Sequence, residues 1–178
     1  GSALKILHAL VAAGFVESVP DGFCELYETS CSGTASEYPE DRFREGRKQI
    51  FLRESTQIKD LCGMIKQITF RKVEGRKFRL IGDIVMDRGL SDRVTLTLLS
   101  EIRKQLGSDQ ITMLNSNHDL EVFVQIRKNL GLPIPDGYRL GRLDQMQSGY
   151  ELIQLFKDAS EPETALEDMY KEHLGELK

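Results

Sequence analysis

The pattern of apolar and polar positions is most regular between Phe78 and Glu121, where it predicts a strand, a helix and a second strand. Lys77 to Gly82 is a short apolar run, typical of a buried parallel strand. Ser91–Asp92 can cap a helix that ends at Gly107 and carries apolar residues at helical spacing: Val94, Leu98, Leu99, Ile102 and Leu106. Gln110 to Leu114 then reads as the second strand.

Polar residues follow each predicted strand directly. Asp83 comes after the first strand, and Asn115 to Asp119 come after the second. A strand, helix, strand unit brings the carboxyl ends of both strands to one edge of the sheet. Open α/β sheets bind their ligands at that edge. The sequence therefore predicts an α/β fold with a polar site at the ends of two parallel strands.

The residue types at this edge suit phosphoester chemistry. The oxygens of Asp83 and Asn117 can ligate divalent metal ions, and His118 can donate a proton to a leaving oxygen. Asp87 is placed to orient His118. Arg88 presents a planar fork that matches two oxygens of a phosphate group. In two-metal hydrolysis, the ions hold the attacking and leaving oxygens while an arginine holds the phosphoryl group.

These residues resemble two motifs of the phosphoprotein phosphatases in the calcineurin-like metallophosphoesterase superfamily. The family motifs are written GDxVDRG and GNHE. This chain has Gly82-Asp83, then Asp87-Arg88-Gly89, then Asn117-His118-Asp119. It departs by one extra residue inside the first of these motifs, by Ser116 in place of glycine, and by Asp119 in place of glutamate. The resulting GDxxxDRG and SNHD look closest to the Wip-type effector phosphatases that intracellular bacterial pathogens deliver into host cells.

The resemblance implies a role for each motif residue. Asp83 would bridge two metal ions and Asn117 would bind the second. Arg88, together with Asn117, would hold the phosphate, His118 would be the general acid, and Asp87 would orient it. The implied ions are manganese first, with zinc or iron as alternatives. The implied function is hydrolysis of a phosphate monoester on a protein side chain, so a phosphorylated protein is the expected substrate.

The family's first motif, GDxHG, is not present in the sequence. In the family, a helix similar to Ala3–Ala13 follows that motif at once, whereas here the helix opens the chain after Gly1-Ser2. We therefore expect residues 1–178 to be one incomplete phosphatase domain. Asp83 and Asn117 alone do not complete a two-metal site. The isolated chain is expected to bind metal weakly or not at all, with at most traces of activity.

The remaining segments predict helices around the strand unit. Residues 40–70 read as a helical-hairpin insert, either a surface for a protein partner or a lid packed on the sheet, and residues 161–178 read as a C-terminal helix. Phe23 to Tyr27 suggests a short strand. His8 is expected to be partly buried in the first helix. His173 lies in the last helix and is a poor substitute for a metal ligand.

The composition of the chain argues against some classes of function. The chain has 24 Lys and Arg against 28 Asp and Glu, with a pI near 5.5, which argues against a nucleic-acid partner. No apolar run is long enough to span a bilayer, so we expect no membrane insertion. We expect a cytoplasmic location, and the resemblance to Wip-type effectors implies, as the alternative, delivery by a bacterium into the host cytosol. Cys24, Cys31 and Cys62 are expected as reduced thiols, with a Cys24 to Cys31 bridge as the alternative.

Several alternatives remain open at this point. Each motif taken singly can be an ordinary turn or a helix cap. A degenerate phosphatase that serves as a non-catalytic protein-interaction module is the second hypothesis, and a phosphodiesterase or nuclease is the third. The basic stretch Arg71 to Lys77 is interpreted as a solvated loop, with a phosphopeptide-binding patch as its alternative. The sequence does not choose between phosphotyrosine and phosphoserine.

Overall fold

A computed structural model describes most of the first two thirds of the chain. The described residues are 3–31, 57–81, 92–114, 124, 126–128, 130–134, 136, 160–161, 163–164 and 168. Within them, helices pack against one small antiparallel sheet and one small parallel sheet. The predicted α/β class is confirmed. No helix among these residues is both long enough and apolar enough to cross a membrane.

Helix α1 spans Ala3–Ala12 and buries one face, made by Ala3, Ile6, Leu7 and Leu10. It ends in a Schellman motif at Gly14, which has a φ of 81°. In that motif, the Phe15 amide donates to the Leu10 carbonyl at 2.9 Å and the Gly14 amide donates to the Val11 carbonyl at 3.0 Å. Gly14 therefore ends the helix.

One prediction about α1 was wrong: His8 is exposed rather than partly buried. At about 100° per residue, the helix turns this side chain away from the stripe formed by Leu7 and Leu10. His8 therefore faces solvent.

The antiparallel sheet was not predicted. Strand β1, Val16–Ser18, pairs with strand β2, Thr69–Phe70. Helix α2, Phe23–Cys31, follows β1, so the predicted strand at Phe23 to Tyr27 was wrong. Phe23 and Tyr27 are four residues apart, share the buried face of α2, and lie with ring centroids 6.2 Å apart. The sequence contains this helical spacing. A single pair of residues is, however, a weaker signal than the strand preference of the residue types in the segment.

Helix α3 comprises residues 57–65 of the described chain. Its apolar residues Ile58, Leu61 and Ile65 lie at helical spacing and are buried in the core. This half of the predicted hairpin therefore belongs to the core. The first half lies outside the described residues, and the 40–70 boundary stays a prediction.

The predicted strand, helix, strand unit is confirmed. Strand β3 is Phe78–Ile81, helix α4 is Asp92–Leu106, and strand β4 is Ile111–Leu114. The two strands are parallel and paired in register from Phe78 with Ile111 to Ile81 with Leu114. Gly107 ends α4 because its φ of 77° lies outside the helical range, and its amide donates to the Arg103 carbonyl at 2.9 Å.

Helix α4 is the centre of the core. Five of its apolar residues are fully buried: Val94, Leu98, Leu99, Ile102 and Leu106. A polar contact fixes β2 beside the helix, since the Gln105 side chain accepts a hydrogen bond from the Phe70 amide at 2.9 Å and donates to the Ile68 carbonyl at 3.0 Å. The Phe15 and Phe78 rings meet edge to face at 6.1 Å, which links the two sheets.

Residues 124 and 126–128 are helical. Gly131 ends this helix in a second Schellman motif, with the Leu132 amide donating to the Arg127 carbonyl at 2.9 Å. Arg127 is buried, donates to the Pro133 carbonyl and pairs with Glu163. Glu163, Thr164 and Asp168 are helical, whereas the rest of the predicted 161–178 helix, with His173, lies outside the described residues.

The three cysteines are reduced thiols, as the sequence favoured. Cys24 and Cys31 lie near opposite ends of α2, and seven steps of about 1.5 Å separate them by about 10 Å along the axis. A disulfide needs Cα atoms closer than about 7 Å. The alternative of a Cys24 to Cys31 bridge was therefore wrong.

Candidate active site

The candidate site begins where two neighbouring strands end. Ile81 and Leu114 form the last in-register pair of the parallel β3–β4 ladder. Both strands therefore end at the same edge, with their backbones side by side. Gly82-Asp83 follows Ile81 in the sequence, and Asn115 to His118 follow Leu114. The juxtaposition of strand ends that the sequence predicted is confirmed.

The predicted site side chains themselves lie outside the described residues: Asp83, Asp87, Arg88, Asn117 and His118. The structure thus brings together the two strand ends that precede them. Their assignment to metal, phosphate and proton transfer stays a prediction from the motifs.

Helix α4 starts at the same edge, because it leads from the end of β3 back to the start of β4. Its first residue, Asp92, is 3% exposed. A carboxylate in the first helical turn is stabilised by the positive end of the helix dipole. The sequence identified Asp92 only as a cap, and its burial could not be read from the pattern. It is the described carboxylate closest in sequence to the Asp87-Arg88 motif.

The two faces of the parallel sheet differ in exposure. Phe78, Leu80, Ile111 and Met113 pack against the core. The in-register residues of the outer face are exposed, with Ile81 at 78% and Leu114 at 50%. The candidate site is therefore bordered by an exposed apolar pair.

The motif residues suit divalent metal ions by their chemistry. A carboxylate and an amide oxygen are ligands for hard or borderline cations, manganese among them. Within the described residues, no group of three or more His, Cys, Asp or Glu side chains is close enough to hold a metal ion. The candidate ligands therefore remain Asp83 and Asn117.

The opposite edge of the sheet carries a basic loop. Arg71 to Lys77 is largely exposed, as predicted, but it is anchored rather than freely solvated. The Arg71 Nε donates to the Gly14 carbonyl at 2.9 Å and the Arg76 Nη1 donates to the Ala13 carbonyl at 3.1 Å. These bonds satisfy carbonyls at the C-terminal end of α1.

A salt bridge fixes the same loop to the turn that precedes β4. The Lys72 Nζ lies 3.1 Å from an Asp109 carboxylate oxygen. The hydrogen bond from Lys72 is the main reason that the pKa of Asp109 lies below its usual value, and the charges of Lys72 and Lys77 act in the same direction. This perturbed carboxyl lies away from the candidate site, so it does not serve the predicted chemistry.

Comparison with known proteins agrees with the motif assignment. The family model described as WipA-like, phosphatase domain, matches residues 77–178, more than half of the chain. The match starts just before β3 and includes both motifs. A search of curated proteins and a search of solved structures gave no significant match. The resemblance to Wip-type phosphatases is confirmed, whereas membership of the calcineurin-like superfamily stays a prediction.

Proposed function

The chain belongs to the WipA-like phosphatase domain family, and we propose on that premise that it hydrolyses phosphate monoesters on protein side chains with the help of two divalent metal ions. The observation that carries this proposal is the parallel pairing of Ile81 with Leu114. It supports a common site because the motifs begin one and three residues beyond these strand ends, and consecutive Cα atoms are only about 3.8 Å apart.

Five residues have separate roles in the proposed reaction. Asp83 and Asn117 hold the metal ions, for which their oxygens are suited. Arg88 binds two phosphate oxygens through its planar guanidinium, with Asn117 beside it. His118 donates a proton to the departing side-chain oxygen, and Asp87 orients the imidazole for that transfer. When bound, the ions polarise the phosphoester and lower the pKa of water.

A phosphorylated protein is the proposed substrate class. The acidic pI disfavours a nucleic-acid backbone. The arginine of the Asp87-Arg88-Gly89 motif belongs, by resemblance, to the phosphoprotein branch and weighs against a phosphodiesterase. We propose that the chain acts in a cytosol, either that of the cell that makes it or that of a host cell.

The test is hydrolysis of a phosphotyrosine and a phosphoserine peptide with added manganese, zinc or iron. We expect slow release of phosphate that is strongest with manganese and abolished in both the Asp83→Asn and the His118→Asn variant. The Asp109→Asn variant is the matched control, since it also removes one carboxylate but lies at the other edge of the sheet. It should keep the activity.

The same experiment separates the enzyme from the interaction module. A peptide that binds the wild-type chain and the Asp83→Asn variant equally, with no hydrolysis by either under any metal, contradicts the proposed catalysis. It would favour the non-catalytic reading.

A further inference from the structure

Two arginines converge on the C-terminal end of α1. Arg71 and Arg76 donate to the carbonyls of Gly14 and Ala13, which are consecutive residues. Arg71 also continues the β1–β2 pairing, because its amide donates to the Phe15 carbonyl at 2.9 Å. The two guanidinium groups therefore bind two consecutive carbonyls just beyond the end of α1.

The loop that carries these arginines is fixed at several points. The Val73 amide donates to Gln110 Oε1 at 2.9 Å, and the Arg76 amide donates to the Val73 carbonyl at 3.2 Å. Gly75 makes this turn possible with a φ of 69°. A side-chain pair on an anchored loop loses little freedom when it binds a ligand.

Most donors of the two guanidinium groups have no partner among the described residues. Each group has five N–H groups and donates one of them to a carbonyl just beyond α1. Within the described part of the chain, neither arginine forms an ion pair, whereas the neighbouring Lys72 is paired with Asp109. Two like charges with free donors form a receptor for an anion.

We propose that Arg71 and Arg76 form a second anion site, which binds the phosphate group of a phosphorylated protein segment. A fixed pair of planar forks matches a compact dianion better than it matches the diffuse charge of a membrane surface. The net charge of the chain, −4, also disfavours a membrane surface. The site lies at the amino end of β3, opposite the candidate active site.

The anion site has a consequence for the substrate, which rests on the proposed function. Arg76 precedes Ile81 by five residues, so its backbone lies at most roughly 17 Å from the strand end at which the motifs begin. An extended substrate bearing two phosphates could occupy both. The substrate class would then be multiply phosphorylated protein segments, with one phosphate hydrolysed and the other held by Arg71 and Arg76.

The first experiment uses inorganic phosphate and amide resonances. We expect phosphate to shift the Gly14 and Phe15 amides and the Arg71 Nε–H saturably, beyond the shifts caused by chloride at equal ionic strength. The same shifts should persist in the Asp83→Asn variant, so they do not depend on the active site. Equal shifts with phosphate and chloride in the wild-type chain would overturn the proposal.

The second experiment separates a discrete site from a basic patch. Arg71→Gln and Arg76→Gln should each weaken phosphate binding by about tenfold, the loss of a charge-assisted contact. Lys77→Gln removes the same charge from the same loop without touching α1, and should change binding by less than about twofold. An equal loss in all three variants would contradict the site, and urea unfolding of each variant controls for stability.

A kinetic arm tests the substrate class. A peptide with two phosphates should have a lower KM than its singly phosphorylated counterpart, and Arg76→Gln should remove this advantage while kcat stays constant. Equal KM values for the two peptides would overturn the substrate assignment. If no peptide is hydrolysed, the proposed function fails, and the phosphate shifts at Gly14 still decide the anion site.

Discussion

Ile81 and Leu114 are the last paired residues of two parallel strands, and both side chains point away from the core. Ile81 is 78% exposed and Leu114 is 50% exposed. Parallel sheets are normally covered on both faces. Here the described part of the chain covers only the inner face, so the strand ends border solvent at the edge where the phosphatase motifs begin.

This asymmetry predicts different costs for two identical truncations. Leu98→Ala removes a fully buried side chain of α4 and should cost about 3–5 kcal/mol of unfolding free energy, because it leaves a cavity. Leu114→Ala on the outer face should cost less than about 1 kcal/mol. Urea unfolding measures both. Similar losses in the two variants would show that the outer face is covered in solution.

The Gln105 side chain is hydrogen-bonded to both the Phe70 amide and the Ile68 carbonyl, and we call this pair of bonds the Gln105 clamp. It predicts a second effect on stability. Gln105→Ala leaves the Phe70 amide and the Ile68 carbonyl without their side-chain partner, and should lower the unfolding free energy by about 1–3 kcal/mol. The Phe70 amide should also exchange faster with solvent. Gln67→Ala is the control, since Gln67 is exposed and its side chain donates to the Gly63 carbonyl of α3 rather than to β2. A Phe70 amide that stays protected in Gln105→Ala would contradict the clamp.

Two glycines should respond to alanine in opposite ways. Gly107→Ala places a side chain at a φ of 77°, and its Cβ would lie 2.8 Å from Asp109 Oδ1, so we expect a loss of more than about 1 kcal/mol. Gly63→Ala, inside α3 with no atom near the new Cβ, should instead stabilise by about 0.5–1 kcal/mol. Thermal unfolding compares them. A shift in the same direction for both would contradict the assigned helix end.

The Lys72–Asp109 pair predicts a pH effect of known sign. The pKa of Asp109 is lowered in the folded chain, so its contribution to stability is present above the unfolded pKa and is lost as pH falls through the folded pKa. Lys72→Met should raise the pKa of Asp109, measured from its carboxyl carbon resonance. Lys66→Met changes an exposed lysine that is not among the groups acting on Asp109, and it should leave that titration unchanged. An unaltered titration in Lys72→Met would show that the bridge does not form in solution.

The sequence predicted the strand, helix, strand unit because its signals are local. Helix α4 has apolar residues at helical spacing over four turns and a glycine stop, and β3 and β4 are short apolar runs beside it. Helix α2 was not predicted, because Phe23 and Tyr27 are aromatic residues, which are also favoured in strands. The β1–β2 pairing joins residues more than fifty positions apart through strands of only three and two residues, which carry no periodic signal.

Of the candidate site, the sequence predicted the motif residues and the edge of the sheet that they follow. The edge that carries it follows from the order of β3, α4 and β4. The burial of Asp92 and the anchoring of Arg71 and Arg76 on α1 are tertiary contacts, which no spacing along the chain indicates. The loop from Arg71 to Lys77 was interpreted as solvated because of its charge alone.

The most direct test of the central claim locates the metal rather than the activity. Substoichiometric Mn²⁺ broadens the resonances of nearby amides even when it binds weakly, as expected for a chain whose predicted ligands are Asp83 and Asn117. We predict selective broadening of the Ile81 and Leu114 amides, no broadening of Val16 and Phe70 in the other sheet, and loss of the effect in Asp83→Asn. Broadening that is uniform, centred on the other sheet or unchanged by Asp83→Asn would contradict a metal site at the ends of β3 and β4.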